Sequence, residues 1–423
     1  MRNTDFFKNK KVIIAGFARS GIACANLLFS LGTDVSISDN KETQATRLNL
    51  SKLKSKKIKS ELGVHTREFL RHNDILVISP GVPKNALPIL WAQELNIPVI
   101  SEIEVAWILC PATVIAVTGS SGKTTVTTLI AKTIEASGKK AFICGNIGTP
   151  FSAEVSNITG EDFVCLEASS FQLEHIKDFK PKVGVMLNFS KNHLDRHKDM
   201  REYLEAKKRI FMNQKKDDFL VLNELDEALK NLAKESTGKV IYFSETDEFN
   251  PNQAAAVAVC KILGIDKKVC LKVFSEFKGL EHRFEQVAEI NNIKFINDSK
   301  ATLVESTVWA LNCINSPVIL IAGGRDKGVD YQGILPWAKD KVKEVILIGE
   351  AKEKIKKALN GFLNISAAQS LEEAVRMAYE KSAPGDYVLF SPMCSSFDMF
   401  SDYEERGRVF KNAVRDLKIK YGA

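Results

Sequence analysis

The run Gly119-Ser120-Ser121-Gly122-Lys123-Thr124-Thr125 holds the residue types of a phosphate cradle. Glycines let backbone N–H groups approach phosphate oxygens, a lysine reaches the outer phosphates, and a threonine hydroxyl can sit on Mg²⁺. Val114-Ile115-Ala116-Val117 reads as the buried strand leading in, and the stretch from Val126 through Leu129, Ile130 and Ile134 reads as the helix leading out. A helix start offers unpaired donors and the positive end of a dipole, which suits an anion. Val117 stands where the usual loop has its first glycine. The competing reading is a plain tight turn, but Gly-Lys-Thr-Thr at a helix start favours phosphate.

A second glycine turn, Gly16-Phe17-Ala18-Arg19-Ser20-Gly21, has the spacing of a dinucleotide fingerprint, with Ala18 in place of the middle glycine. Asp39 ends the next expected strand, where an acid would meet a ribose hydroxyl. A packing turn is the alternative here. Two phosphate sites in separate domains suggest a nucleotide-bearing substrate and an energy source, hence ATP-driven chemistry rather than simple hydride transfer.

These turns need strands and helices to hold them. Expected strands are Lys11–Ala15, Asp34–Asp39 and Asp74–Ser79 in the first hundred residues. Val114–Val117, Phe163–Glu167, Val183–Leu187 and Phe219–Leu222 come next, then Lys294–Asn297, Val318–Ala322, Val345–Ile348 and Tyr387–Ser391. Short apolar strands separated by helices imply parallel sheets. The fold class expected is α/β, with three domains: a Rossmann-like domain over 1–101, a central ATPase-like parallel-sheet domain over 102–280 and a second Rossmann-like domain over 281–423. Three such domains in series suit a substrate gripped by parts that close on each other.

Composition sets the outer limits. A chain of 423 residues exceeds one ordinary core, and 45% hydrophobic with 26% charged residues is the balance of a soluble globular protein. The net charge of +7 is spread widely, and the densest basic stretch, Lys52 to Lys59, lacks interleaved aromatics. It reads as a solvated face, so no nucleic-acid partner is expected. The eight cysteines lie in apolar context without metal-ligand spacing and read as buried thiols of a reducing compartment. Met1–Asp5 is polar and is not expected to act as a secretory leader. No apolar stretch approaches the ~20 residues that span a bilayer. A cytoplasmic, monomeric enzyme without a membrane partner is expected.

Three further segments add chemistry: Leu166-Glu167-Ala168-Ser169-Ser170-Phe171-Gln172-Leu173-Glu174, Asn188-Phe189-Ser190-Lys191-Asn192-His193-Leu194-Asp195-Arg196-His197, and Ala206-Lys207-Lys208-Arg209-Ile210-Phe211. With these the chain resembles the Mur ligases of peptidoglycan synthesis over essentially its whole length. Glu167, at a strand's end, suits Mg²⁺ as a hard oxygen ligand. On their own, His193 reads as a loop histidine and Lys207 as a surface lysine. The resemblance instead implies that Thr124, Glu167, His193 and Lys207, the last as a carbamate, serve two Mg²⁺ ions, with Lys123, Glu167, His193 and Lys207 as the catalytic set.

The resemblance also implies substrates. ATP would take the Gly119–Thr125 loop (Gly119, Ser120, Ser121, Gly122, Lys123, Thr124, Thr125) together with Asn252, Arg283 and Asp298. The UDP part of UDP-N-acetylmuramoyl-L-alanine would take Gly16, Phe17, Ala18, Arg19, Ser20, Asp39, Asn40, Ser79 and Gly81, with Asn146 and His193 contacting the same substrate. D-Glutamate would take Thr302, Lys327, Ser396, Phe397 and Tyr403. The implied reaction is amide formation through an acyl phosphate. The segment Phe249-Asn250-Pro251-Asn252 lacks the histidine that the family usually carries there, and Phe397 and Tyr403 stand where leucine and phenylalanine are common. A ligase for another amino acid, a folate polyglutamate ligase, an NAD-dependent oxidoreductase and a non-catalytic nucleotide-binding regulator are the alternatives. The oxidoreductase leaves Lys123 unexplained, and the regulator has no use for Glu167, His193 and Lys207 together.

Overall fold

A computed structural model describes residues 1–190, 193, 196–326 and 328–422. The chain divides into two compact units, Met1–Phe277 and Lys278–Ala423.

The first unit carries two sheets. One holds β1 (Lys11–Ala15), β2 (Asp34–Asp39), β3 (Lys59–Leu62), β4 (Ile75–Ile78) and β5 (Val99–Ser101), in the order β3-β2-β1-β4-β5. The other holds β6 (Thr113–Thr118), β7 (Ala141–Gly145), β8 (Phe163–Glu167), β9 (Val183–Met186), β10 (Phe219–Asn223) and β11 (Lys239–Phe243), in the order β11-β10-β9-β6-β8-β7. Every pairing in both sheets is parallel. Parallel strands must be covered on both faces, which is why the central ones are near-continuous runs of Val, Ile and Leu.

One apolar core spans the two sheets, from Val12 and Ile14 through Ile103 and Leu109 to Leu166 and Leu220. The helix Glu102–Leu109 lies in this seam with two buried acids. Glu104 accepts from the backbone N–H groups of Lys177, Asp178 and Phe179 at 2.8–3.0 Å, and Glu102 accepts from Ser152 N at 2.7 Å. Burial raises both carboxyl groups above the usual range against these bonds. The segment 177–179 comes just after the Ser169–Glu174 run, so the seam fixes that run against the first sheet.

The second unit holds one sheet: β12 (Glu285–Ile290), β13 (Ile293–Asn297), β14 (Val318–Gly323), β15 (Val342–Ile348), β16 (Ile365–Ala367) and β17 (Tyr387–Phe390). Its order is β12-β13-β17-β14-β15-β16, parallel except for the β12–β13 hairpin. Separate apolar clusters cover its two faces.

The Lys52–Lys59 stretch is a solvated face as expected, with each of its lysines exposed. One expectation about the cysteines is corrected. Seven are buried, but Cys313 is exposed, because it caps the surface end of the helix Val304–Asn312. Among the described residues, no helix is long and apolar enough to cross a membrane.

Candidate active site

The Gly119–Thr125 loop sits where β6 ends, between β8 and β9, at the carboxyl edge of a parallel sheet. Gly122 has φ +76° and caps the helix Lys123–Ala136, a conformation that favours glycine. A Cβ there would also stand 2.5 Å from Asn252 Oδ1. Asn188 braces the loop from the end of β9: its Oδ1 accepts from Ser121 N at 2.9 Å and its backbone carbonyl from Ser120 N at 3.1 Å. Lys123 folds back, donating to Gly119 O at 2.9 Å and Ser120 O at 3.2 Å. Thr124 is buried as the second residue of the helix.

Lys207 is not the surface lysine that its helical context suggests. It is 1% exposed and donates to Gly119 O at 2.8 Å, so two lysines meet at one carbonyl. The reason lies in the helix Met200–Lys208, which turns Tyr203, Ala206 and Lys207 inward. Burial and the charge of Lys123 hold the Lys207 ammonium well below its ordinary range, against the pull of Glu167. Glu167, the last residue of β8, is also 1% exposed. Its Oε1 accepts from Asn146 Nδ2 at 2.7 Å, whereas its Oε2 is buried with no partner among the described residues. A buried, half-satisfied carboxylate beside a phosphate loop suits a hard cation. Among the described residues, no three His, Cys, Asp or Glu side chains gather into a ligand cage.

His193 adopts φ +57° and packs edge-on to Phe171, with ring centroids 4.9 Å apart. Its neighbours Lys191, Asn192, Leu194 and Asp195 lie outside the described residues. Three residues with no role expected from sequence, His197, Arg196 and Tyr203, also gather here. His197 is 1% exposed, pairs with Ser170 Oγ at 2.9 Å and stacks on Phe171. Arg196 reaches Pro80 O and Val82 O at 3.3 Å each, with its guanidinium 4.4 Å over Phe171. Tyr203 packs against His193 and His197. Polar residues beside a histidine in a Ser-, Asn- and Asp-rich loop were the available signal, and it was weak.

In the first sheet, the turn Gly16–Gly21 is braced from within the fold. A Cβ on Gly21 would collide with Gly16 O, and Ser79 Oγ donates to Gly16 O at 3.1 Å. Asp39 accepts from Phe17 N at 2.7 Å and from Lys41 N at 2.9 Å, so its carboxylate already holds the turn and the start of the next loop. Phe17 is fully buried, while Ala18, Arg19, Asn40 and Gly81 are exposed and Ser20 is half-buried. Arg19 donates to Gly148 O. With Asn146 on Glu167, this links the first glycine turn to the acid of the second sheet.

In the second unit, Asn297, Gly323 and Phe390 end three neighbouring strands, so the loops that leave them share one edge. Asp298 is buried, accepts from Phe284 N at 3.1 Å and Ser391 Oγ at 3.0 Å, and burial pushes its carboxyl up to about 7. Arg283 lies near enough to oppose that shift. Thr302 is half-buried, Ser396 buried and Phe397 62% exposed. Tyr403 begins the helix Tyr403–Tyr421 under the Lys300 ammonium, which sits 4.7 Å from its ring. Lys327 lies outside the described residues.

Three family descriptions match the chain: a MurD-like Mur ligase N-terminal domain over residues 10–101, the Mur ligase middle domain over 117–276 and the Mur ligase glutamate ligase domain over 282–394. A UDP-N-acetylmuramoylalanine–D-glutamate ligase of Thermoanaerobacter sp. (strain X514) is 38% identical, covering 97% of this chain and 99% of that protein. The protein of the same name from Geotalea uraniireducens is 40% identical, covering 97% and 98%. Among solved structures, the MurC ligase of Thermotoga maritima aligns with TM-score 0.63 at 18% identity, covering 97% of this chain and 100% of that one. At that identity the likeness speaks for the fold alone.

Proposed function

This chain belongs to the Mur ligase family, and we propose from that premise that it joins D-glutamate to UDP-N-acetylmuramoyl-L-alanine with ATP as the driving reactant. The observation that carries the mechanism is the convergence of the phosphate loop, Lys123 and Lys207 on Gly119 O, beside Glu167.

The labour divides among three domains, at 1–101, 102–280 and 281–423. The first holds the UDP end through Gly16–Ser20, Asp39, Asn40, Ser79 and Gly81. The second holds ATP through Gly119–Thr125 and Asn252, and its Asn146 and His193 contact the muramoyl substrate. The third contributes Arg283 and Asp298 to ATP and takes D-glutamate on Thr302, Lys327, Ser396, Phe397 and Tyr403. The cytoplasm, where ATP and the UDP-linked precursor meet, is the compartment this function assigns to the chain.

A carboxylate is a poor electrophile, so its terminal oxygen first attacks the γ-phosphorus of ATP, and ADP leaves. Lys123 offsets charge on the transferring group. The amine of D-glutamate then attacks the acyl carbon, a proton is lost, and phosphate departs with the C–O electron pair. Exclusion of water from the site protects the acyl phosphate. Thr124, Glu167, His193 and Lys207 would hold two Mg²⁺ ions, which supply further charge neutralisation when bound. The depressed Lys207 ammonium favours the neutral amine, the form that takes up CO₂ to give a carbamate. Mass spectrometry of the product tests this function. One D-glutamyl residue added per phosphate released supports it, and phosphate release without a new amide contradicts it.

A further inference from the structure

Arg406 is 1% exposed, yet among the described residues it forms no ion pair. Its hydrogen bonds go to neutral oxygens of two different loops. Nε donates to Ser299 Oγ at 3.1 Å, and Nη2 donates to Ser299 O at 2.7 Å and Cys394 O at 3.1 Å. Nη1 is buried without a partner among the described residues and points to a third loop, where a Cβ on Gly324 would stand 3.1 Å away. Ser299 Oγ in turn donates to Tyr403 O at 2.8 Å. Asp398, which accepts from Glu350 N at 2.9 Å, leaves its Oδ1 buried and without a partner among the described residues. A buried guanidinium held by carbonyls is costly, and an apolar side chain of similar size commonly gives more stability. What a guanidinium offers instead is a rigid planar fork with fixed donor directions.

We propose that Arg406 is a positioning residue that sets the register of two amino-acid loops, those leaving Asn297 and Phe390, and thereby the length of side chain the pocket accepts. This rests on the assignment of D-glutamate to those loops. Its two anchor points lie two or three residues from residues assigned to the amino acid: Ser299 before Thr302 and Cys394 before Ser396. One planar group therefore ties these two loops close to residues assigned to the amino acid.

The test is steady-state kinetics of Arg406→Lys, which keeps the charge and loses the fork, alongside Ser299→Ala, which removes one anchor oxygen. For Arg406→Lys the KM for D-glutamate should rise about tenfold or more, and the preference for D-glutamate over D-aspartate, one methylene shorter, should shrink by a similar factor. The KM values for ATP and the UDP substrate should stay near those of the parent. Ser299→Ala should move in the same direction by less, and it decides the matter if Arg406→Lys does not fold. An unchanged preference ratio, or an equal rise in all three KM values with a lowered thermal midpoint, would overturn the proposal as a purely structural role. Failure of the unaltered enzyme to use D-glutamate would instead overturn the function on which it rests.

Discussion

The two glycine turns of the first unit share one plan, a parallel strand and then a helix start, yet they are built differently. At Gly16–Gly21 the fold consumes its own donors and space. Gly21 abuts Gly16 O, Ser79 bonds the same carbonyl, and Asp39 accepts from Phe17 N. At Gly119–Gly122 the bracing comes from outside the loop, through Asn188, with Asn252 close beside Gly122, and two lysines converge on the Gly119 carbonyl. The first turn is a shaped platform. The second is a concentration of positive charge and helix N–H groups over a buried carboxylate. A glycine pattern alone does not separate these cases; the residues after the last glycine do.

The largest expected effect belongs to the second turn. Lys123→Ala should lower kcat by roughly 10²–10³ or more with the fold intact, checked by turnover at saturating ATP and by circular dichroism. Near-parental turnover would remove the distinction between the turns. Lys207→Ala should fall comparably and recover in part with added acetate or formate, since the carbamate's task is to present oxygens. Lys207→Arg should be inactive and resist rescue, because it keeps a cation and fills the space. Full activity of Lys207→Arg would exclude the carbamate.

Paired alanine substitutions sharpen the contrast. Gly21→Ala places a Cβ against backbone and should cost about 1–3 kcal/mol, read as a lowered thermal midpoint with the KM for ATP unchanged. Gly122→Ala should raise the KM for ATP, through the positive φ and the contact with Asn252. Asp39→Ala should weaken the UDP substrate more than ATP, by about tenfold in Kd, one such hydrogen-bonded carboxylate being worth ~1–2 kcal/mol. Equal weakening of both ligands would undo the assignment of the first turn.

The smallest effect concerns pH. Asp298 has its folded value raised from 3.8 to about 7, so between these values the folded state binds the extra proton. Stability should therefore fall as pH rises from about 4 to 7 and level off above that. Asp298→Asn should flatten that fall in chemical denaturation series, and an unchanged slope would show that other groups govern it.

Strands with two buried faces were legible in the sequence, because their apolar runs leave little choice. Lys11–Ala15, Asp34–Asp39 and Phe163–Glu167 match the expected bounds, and Val318–Gly323 extends its expected span by one residue. The strands without an expected counterpart lie at sheet edges: Lys59–Leu62, Val99–Ser101, Ala141–Gly145, Lys239–Phe243, Glu285–Ile290 and Ile365–Ala367. Lys59–Leu62 and Glu285–Ile290 carry Lys, Glu, Gln or Ser on their exposed positions and lose the apolar signal. Val99–Ser101 and Ile365–Ala367 are only three residues long. Ala141–Gly145 and Lys239–Phe243 are apolar runs that resemble buried strands. In the site, Gly119–Thr125 and Glu167 announce themselves through local order. Lys207 does not, since the partners that bury it are 88 and 89 residues away in sequence. Arg406 was invisible for the same reason, its contacts spanning 107 residues to Ser299.

In the proposed function the charged turn drives amide formation with one amino acid. Phosphate release from ATP and UDP-N-acetylmuramoyl-L-alanine, measured across a panel of D- and L-amino acids, tests it most directly. Release should depend on D-glutamate and be far weaker with L-glutamate, L-alanine or a diamino acid. Release independent of any amino acid, or strongest with one other than D-glutamate, would contradict it.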